Sequence, residues 1–437
     1  MNISNSNSLK EKGKTLLPSL AQTFSKSPSS FVEGVYPVYA DHGEGCYIFD
    51  VDKNKYIDYL MALGPIVLGY NYESVNKAII QQLQKGSLFS LPHKYEINAA
   101  EQLQKIIPCA EMTRFCKTGS DSVTAAVRAS RAITKRDMIL YCGSGGVWDD
   151  WFTIATTRNE GIPNFNKELL KIFQYNNISE LEQIFDENND NIAAVIIEPT
   201  VYEQPKNNFL EKVKKITHQN DSLLVFDEIL TGFRISNGGG QEYFGVTPDM
   251  ATYAKGIANG MPLAAVVGKS EYMQIFDKVF VSTTYGGETL SLAACVATIK
   301  EFQEKNVCRH MWQISEMFRE GYNKIAKENE LDSECIGYYP RLKIIIRDEK
   351  GDESILLKSF FLQELVEKGI FMFCMGTPLN GIIIVSTIPI IIKSFTYIIY
   401  SIIIIIIKSF TLIIFPIFGI YKFFTKIIFS ISSICKS

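Results

Sequence analysis

The sequence predicts an α/β fold: a mostly parallel central sheet with helices on both faces, plus a smaller lobe from the N- and C-terminal parts of the chain. Short apolar runs at 138–141, 193–197, 223–226 and 264–267 alternate with helix-periodic segments. This alternation is typical of a parallel sheet that is covered by helices on both faces. The chain has 437 residues, enough to bury a large core and to form more than one lobe.

Taken in order, the segments predict five regions. Residues 1–30 are rich in Ser and Asn and lack the apolar core of a signal peptide, which predicts a flexible N-terminal tail. Residues 31–85 are expected to form the N-terminal part of the smaller lobe, with a hairpin over 47–59. Residues 86–325 are expected to form the large domain, and 326–370 to begin the C-terminal part of the smaller lobe.

The last predicted region, residues 371–437, is atypical for a globular domain. No Asp or Glu follows Glu367, and the heptapeptide IIIKSFT occurs twice, at 390–396 and 405–411. Three interpretations remain open: a frameshift in AT-rich DNA, a membrane-seeking tail, or a divergent core. We adopt the frameshift, because Ile, Lys, Phe, Ser and Tyr codons are expected by chance in AT-rich DNA. The apolar stretch between Lys393 and Lys408 is shorter than the ~20 residues that cross a bilayer. Membrane association is therefore not expected.

Composition excludes several classes of protein. The net charge of −3 gives no support for a nucleic-acid partner. The nine cysteines are scattered and odd in number, which favours reduced thiols and a cytoplasmic location. The four histidines are too far apart in sequence to indicate a metal site, so no metal is expected.

An acid and a lysine stand at two predicted strand ends. Asp227 ends the run at 223–226, and Lys255 follows a second short strand at 250–254. Ligands of parallel sheets bind at this edge. Pyridoxal 5'-phosphate (PLP) requires such a pair, because an acid keeps the ring nitrogen protonated and a lysine forms a Schiff base with the aldehyde. The alternatives are a helix-capping Asp and a surface Lys.

A glycine turn before a helix adds a candidate phosphate site. Gly119 and Ser120 lie in the segment TGSDS, directly before a predicted helix. The free N–H groups and the dipole of a helix N-terminus favour a phosphate group. An ordinary Ser or Asp helix cap explains the same pattern.

With these motifs the chain resembles the class III pyridoxal-phosphate aminotransferases, and most of all their glutamate-1-semialdehyde 2,1-aminomutase branch. The resemblance rests on DEILTGFR at 227–234, GVTPD at 245–249 and the segment that begins at Lys255, and it covers about residues 30–370. It implies the type I PLP-transferase fold, with 86–325 as the PLP-binding domain.

The resemblance also implies roles for individual residues. Asp227 would pair with the ring nitrogen and Lys255 would carry the Schiff base, while Gly119 and Ser120 would bind the phosphate. Thr284 resembles a threonine that reaches the phosphate from the partner subunit, which implies a homodimer with a shared active site. Glu203 occupies the place of a glutamate that gates the substrate in some class III transaminases.

Two places depart from the family pattern. Where the family has a Tyr-His-Gly stretch whose ring stacks on the cofactor, this chain has Gly145, Gly146 and Val147, followed by Trp148. The N-terminal segment also lacks the arginine that binds the substrate carboxylate, since no arginine precedes Arg114. A lysine does not reproduce the planar, bidentate contact of an arginine.

The resulting hypothesis is PLP-dependent transfer of an amino group on a small amino or keto substrate, similar to glutamate-1-semialdehyde aminomutase. One alternative is a transaminase that makes an amino compound for surface polysaccharide, to which the segments TGSDSVTAA and TTRNEGIP are similar. The other alternative is an inactive, frameshifted gene product.

Overall fold

The structure is a computed structural model, and it describes residues 1–188, 190–338 and 340–373. The predicted atypical segment at 371–437 lies outside the described residues from position 374 onward. None of the helices within the described ranges combines the length and the apolar character that a membrane span needs.

The N-terminal region contains one helix and three strands: α1 (Ser4–Gly13), β1 (Ala40–Glu44), β2 (Tyr47–Asp50) and β3 (Lys55–Asp58). The predicted hairpin is present, because β2 and β3 pair antiparallel. Helix α1 lies in the segment for which the sequence predicts a flexible tail. Its Ser6 is buried, and the Ser6 hydroxyl accepts a hydrogen bond of 2.7 Å from the amide of Val38. This contact ties the segment to the rest of the chain.

The large domain alternates helices and strands over residues 73–305, so these elements begin before its predicted start at 86. In chain order its first elements are α2 (Glu73–Leu83), α3 (Lys94–Ile106), β4 (Met112–Cys116), α4 (Gly119–Thr134), β5 (Met138–Cys142), α5 (Asp150–Thr153), β6 (Leu170–Ile172), α6 (Ile178–Glu187) and β7 (Ile192–Ile197). They are followed by α7 (Phe209–Gln219), β8 (Leu223–Asp227), α8 (Gly240–Phe244), β9 (Met250–Tyr253), β10 (Ala264–Gly268), α9 (Ser270–Met273) and α10 (Thr289–Lys305).

The seven strands β4–β10 form one sheet in the order β4-β10-β9-β8-β7-β5-β6. Strands β9, β8, β7, β5 and β6 run parallel, whereas β10 is antiparallel to both β9 and β4. The predicted mostly parallel sheet is therefore confirmed. An apolar run does not encode strand direction, so the antiparallel orientation of 264–267 is not predictable from the sequence.

Helices cover both faces of this sheet. Along β7, Val195 packs in a cluster with residues of α6, α7 and α10, while Ile196 packs in a second cluster with residues of α4. Successive side chains of a strand point to opposite faces, so continuous apolar strands such as IAAVII require cover on both sides.

The smaller lobe joins the two ends of the described chain. It includes α11 (Val307–Glu328), β11 (Ser333–Ile336), β12 (Lys343–Ile346), α12 (Ile355–Glu367) and β13 (Ile370–Phe371). Strand β13 pairs parallel with β3, which places it at the edge of the sheet β1-β2-β3-β13. A third apolar core, which includes Tyr56, Phe318 and Leu365, fills the space between these elements.

Candidate active site

The predicted acid and lysine lie at the same edge of the sheet. Asp227 is the last residue of β8 and is opposite Thr252 of β9, three residues before Lys255. Glu198 directly follows β7, the next parallel strand. These positions agree with the rule that ligands bind beyond the C-terminal ends of parallel strands.

A cavity of about 450 Å³ lies at this edge. It is lined by the ends of the parallel strands, the start of α4, a turn of the smaller lobe and the N-terminal segment. The lining comprises Thr23, Ala62, Leu63, Pro65, Lys117, Thr118, Gly119, Ser120, Ser144, Gly145, Gly146, Val147, Glu198, Asp227, Ile229, Leu230, Ala254, Lys255, Gly260, Met261, Pro262, Leu263 and Arg341.

Lys255 is held in an unusual backbone conformation. Its φ is 45°, in the left-handed region that few residues other than glycine adopt. Within the described residues its amine has no ion-pair partner within 4.0 Å. Burial lowers the pKa of Lys255, although the nearby charges of Asp227 and Glu198 oppose this effect. A lowered pKa increases the fraction of neutral amine, which is the nucleophilic form.

Asp227 is buried, and its Oδ1 accepts a hydrogen bond of 3.1 Å from the amide of Ile229. Burial raises the pKa of Asp227, and the charge of Glu198 raises it further. A cationic ring beside the carboxylate would have the opposite effect and would favour the ionised form. The site is therefore suited to a cationic ligand group at this position.

The N-terminus of α4 forms a third wall of the cavity. Thr118 and Asp121 cap the helix reciprocally: the Thr118 Oγ1 accepts from the Asp121 amide at 3.2 Å, and Asp121 Oδ2 accepts from the Thr118 amide at 2.8 Å. A Cβ atom at Gly119 would meet Ile229 Cδ1 at 2.8 Å, so a larger residue would require the Ile229 side chain to move. The turn thus combines close backbone approach with a helix dipole, as a phosphate site requires.

Sequence reasoning missed a buried ionic group in the cavity wall. Arg341, between β11 and β12, donates from Nη1 to Glu198 Oε2 at 3.2 Å and from Nη2 to the Ser144 hydroxyl at 3.2 Å. Glu198 Oε1 in turn accepts from the Ser144 amide at 2.5 Å and from its hydroxyl at 2.6 Å. The Arg341 guanidinium also lies 4.7 Å from the centre of the Tyr202 ring. Proline before Arg341 was the only local signal, and it does not indicate a site.

The loop that replaces the family's stacking ring is glycine-rich and fixed by side chains. Gly145 and Gly146 have φ of 79° and 108°, which glycine adopts without strain. The amide of Gly145 donates to the Tyr141 hydroxyl at 3.1 Å. Trp148 is 69% exposed and does not line the cavity, so its ring does not take the place of the missing one.

Two predicted site residues lie outside the cavity lining. Glu203 is exposed and pairs with Lys206 at 3.2 Å. Thr284 is exposed in the segment before α10. The position of Thr284 is compatible with a role in a partner subunit, and both roles stay predictions.

The cavity fits PLP on the chemistry of its residues. It presents a carboxylate for a ring nitrogen, an amine with a lowered pKa for an aldehyde, and a glycine turn at a helix N-terminus for a phosphate. The volume of about 450 Å³ lies in the range of small-molecule and cofactor sites.

Comparison with known proteins agrees with this chemistry. The family model "Aminotransferase class-III" matches residues 31–390, past the start of the atypical segment at 371. A 3-aminobutyryl-CoA aminotransferase of Cloacimonas acidaminovorans is 36% identical over 382 residues, covering 85% of this chain and 91% of that protein. The glutamate-1-semialdehyde 2,1-aminomutase of Methanocaldococcus jannaschii is 32% identical over 363 residues, covering 77% of this chain and 84% of that protein.

Solved structures share the fold. The FumI protein of Sphingopyxis sp. MTA144, which carries PLP, matches with a TM-score of 0.85 at 22% identity over 93% of this chain and 97% of its own. An omega-transaminase from Sphaerobacter thermophilus matches with a TM-score of 0.82 at 23% identity over 91% of this chain and 97% of its own. The predicted type I PLP-transferase fold and the predicted cofactor are thereby confirmed. The chain belongs to the class III aminotransferases, a family of PLP-dependent enzymes.

Proposed function

We propose that this protein transfers an amino group on a small amino or keto substrate in the manner of glutamate-1-semialdehyde 2,1-aminomutase. The observation that carries the proposal is that Asp227, Lys255 and the start of α4 line one cavity. The relatives of known activity support it, since several of them are glutamate-1-semialdehyde 2,1-aminomutases at 31–34% identity. The proposed substrate site is the remainder of the same cavity.

The chain's own residues have distinct tasks under this proposal. PLP, when bound, supplies an electron sink for the carbon that loses a proton. Lys255 would bind the aldehyde carbon, and its free amine would accept and return the proton as a general base. Asp227 would keep a proton on the ring nitrogen. The amides of Gly119 and Ser120, together with the Ser120 hydroxyl, would hold the phosphate.

A transaminase that needs a separate amino donor is the second candidate, and two observations favour it. The relative with 36% identity is a 3-aminobutyryl-CoA aminotransferase, whose name specifies a coenzyme A thioester. The N-terminal segment also lacks the expected arginine, and the arginine that does line the cavity is engaged with Glu198. A transaminase that makes an amino compound for surface polysaccharide is one form of this second candidate. Glu203 would then act at the cavity entrance.

We further propose a homodimer in which Thr284 of one chain reaches the phosphate site of the other. Large apolar side chains are exposed near the Thr284 segment, among them Leu88, Phe89, Phe280 and Tyr285. The two stretches are adjacent, because the Thr289 amide donates to the Ser87 carbonyl at 2.9 Å. An exposed apolar patch of this kind is typical of a protein interface. We place the protein in the cytoplasm, since its nine cysteines are scattered and odd in number, which favours reduced thiols.

One experiment separates the candidates. The purified chain, supplied with PLP, is reduced with borohydride, and the modified peptide is mapped. A separate, unreduced portion of the protein with PLP is assayed on glutamate 1-semialdehyde with and without an amino donor. Label on Lys255 and turnover without donor support the aminomutase, whereas turnover only with donor supports the transaminase. Absence of any label would contradict both and favour the inactive, frameshifted product.

A further inference from the structure

The strongest unexplained feature of the site is its fully buried arginine. Among the described residues that line the cavity, the carboxylates are Glu198 and Asp227 and the cations are Lys117, Lys255 and Arg341. Lys117 is paired outside the lining, with Glu288 at 3.0 Å. Within the lining, the two carboxylates are therefore balanced by Lys255 and Arg341, while the buried Arg234 acts on Lys255 and the buried Glu228 acts on Asp227 from outside the lining.

Of these two cations, only Arg341 keeps its positive charge throughout the reaction. Lys255 loses its positive charge as a free amine, whereas an arginine stays charged at every relevant pH. The Arg341 side chain is fully buried and Glu198 is 5% exposed, so solvent screens this pair little. Without Arg341, the negative charge of Glu198 would lack its direct counter-ion, and it would favour the protonated form of the Lys255 adduct.

The hydrogen bonds at Glu198 also connect Arg341 with the glycine loop. Arg341 and Ser144 together fix both oxygens of Glu198: Oε2 lies 3.2 Å from Arg341 Nη1, and Oε1 lies 2.5 Å from the Ser144 amide. A side chain at Gly143 would meet Glu198 Oε1 at 2.9 Å, which shows how closely this backbone approaches the carboxylate. The orientation of the glycine loop beside the cofactor site thus depends on Glu198, and the orientation of Glu198 depends on Arg341.

We propose that Arg341, supplied by the smaller lobe, is a positioning residue for amino transfer: through Glu198 it fixes the loop at 143–147 and balances the charge beside Asp227 and Lys255. The charge balance beside Asp227 therefore depends on the packing of the β11–β12 hairpin against the large domain. The inference rests on the proposed function, because it concerns the Lys255 adduct with PLP.

Several titratable and charged groups surround Glu198, and they determine which groups a pH titration of the site reports on. The nearest are Tyr141 and Cys142 of β5, Asp227 of β8, Lys255 after β9, and Tyr202 and Arg341, while Glu228 and Arg234 act on Asp227 and Lys255. Burial raises the pKa of both Tyr141 and Cys142 well above their ordinary values, so these two stay neutral over the working range. A pH-dependent change in the site therefore reports on Asp227 and the Lys255 adduct.

The test is the pH titration of the visible absorption band of the protein with bound PLP. We expect Arg341→Gln to raise the pH midpoint of the Lys255 adduct by about one unit or more, because an uncompensated Glu198 favours the protonated adduct. Arg341→Lys, which keeps the charge, should stay close to the wild type. The double variant Glu198→Gln with Arg341→Gln should return the midpoint to within about half a unit of the wild type.

The outcomes separate three cases. An unchanged midpoint in a folded Arg341→Gln variant would overturn the inference and leave the proposed function intact. A double variant that shifts as far as Arg341→Gln alone would also overturn it, since a purely structural role does not respond to removal of the second charge. Absence of a borohydride-reducible adduct in the wild type would contradict the proposed function and, with it, this inference.

Discussion

Lys117 and Glu288, which are 171 residues apart in sequence, form an ion pair of 3.0 Å beside the turn that leads into α4. Both side chains are largely buried, at 16% and 15% exposure. Glu288 also caps α10, since its carboxylate accepts from the Leu290 amide at 2.6 Å and from the Ser291 hydroxyl at 2.6 Å. The pair thus connects the candidate phosphate turn with the segment that contains Thr284.

The first prediction concerns this pair. We expect Lys117→Gln to weaken PLP binding about tenfold, because it removes a cation next to a dianionic group and loosens the turn. Pyridoxal, which lacks the phosphate, should bind the variant and the wild type within about twofold. Equilibrium titration of the visible band with each ligand measures this difference. Equal losses for PLP and pyridoxal would contradict it.

Glu288→Gln is the matched variant for the same titration. It breaks the ion pair but leaves the Lys117 cation and an acceptor oxygen at the start of α10. PLP affinity should therefore be kept or slightly increased. If Glu288→Gln weakened PLP binding as much as Lys117→Gln does, the pair would contribute to the structure of the turn and not to the charge of the site.

The second prediction concerns Asp227. Asp227→Asn should bind PLP but lose roughly a hundredfold or more in kcat, because a neutral amide does not keep the ring nitrogen protonated. N-methyl pyridoxal 5'-phosphate carries a fixed positive charge on that nitrogen, so it should restore part of the lost kcat in the variant. Steady-state rates with both cofactors test this. A variant that neither loses activity with PLP nor gains it with the N-methyl analogue would exclude the assigned role.

How far the sequence predicts this site depends on how local its signals are. Asp227 and Lys255 lie at the C-terminal ends of two buried strands that follow each other in sequence. The alternation of strands and helices therefore predicts that both residues lie at the same edge of the sheet. Arg341 reaches that edge from a hairpin of the other lobe, 143 residues from Glu198. Pairing over such a separation leaves no periodic pattern, and a buried arginine is not distinguishable from a surface arginine in sequence.

The contacts of the glycine loop at 143–147 are also not predictable from the sequence. The sequence shows that the family's stacking ring is absent at 145–147, but it does not show what fills the role. In the structure the loop is held by Tyr141, Ser144 and Glu198, and the amide of Trp148 donates to the Ser120 hydroxyl at 3.0 Å. Hydrogen bonds fix the loop that lacks the ring, and such contacts follow only from the three-dimensional arrangement.

The third prediction follows from the lowered pKa of Lys255. Only the neutral amine attacks an aldehyde, so the rate of PLP capture should rise with pH and level off above the pKa of this amine. Because burial lowers that pKa, the midpoint should lie below the ordinary lysine value of about 10.4. Stopped-flow absorbance over a pH series measures the midpoint. A rate that still rises tenfold per pH unit up to about 10 would show an ordinary lysine.

The control for that series is a variant that lacks the amine. Lys255→Ala should show no visible adduct and no label after borohydride, while Lys300→Ala, at a side chain that is 71% exposed, should behave as the wild type. Label that persists in Lys255→Ala would place the Schiff base at another lysine.

The fourth prediction tests the shared active site. Thr284 and Thr283 are adjacent and both exposed, yet only Thr284 is expected to reach the phosphate of a partner subunit. Thr284→Ala should weaken PLP binding roughly fivefold to tenfold through the loss of a hydrogen bond to a charged group, whereas Thr283→Ala should change it less than twofold. The difference should disappear when the chain is diluted below the concentration at which it dimerises. Sedimentation velocity gives that concentration, and PLP titrations above and below it test the dependence. A Thr284→Ala effect that is the same in the monomer would place the threonine in its own chain's site, and equal effects of the two variants would remove any specific role for Thr284.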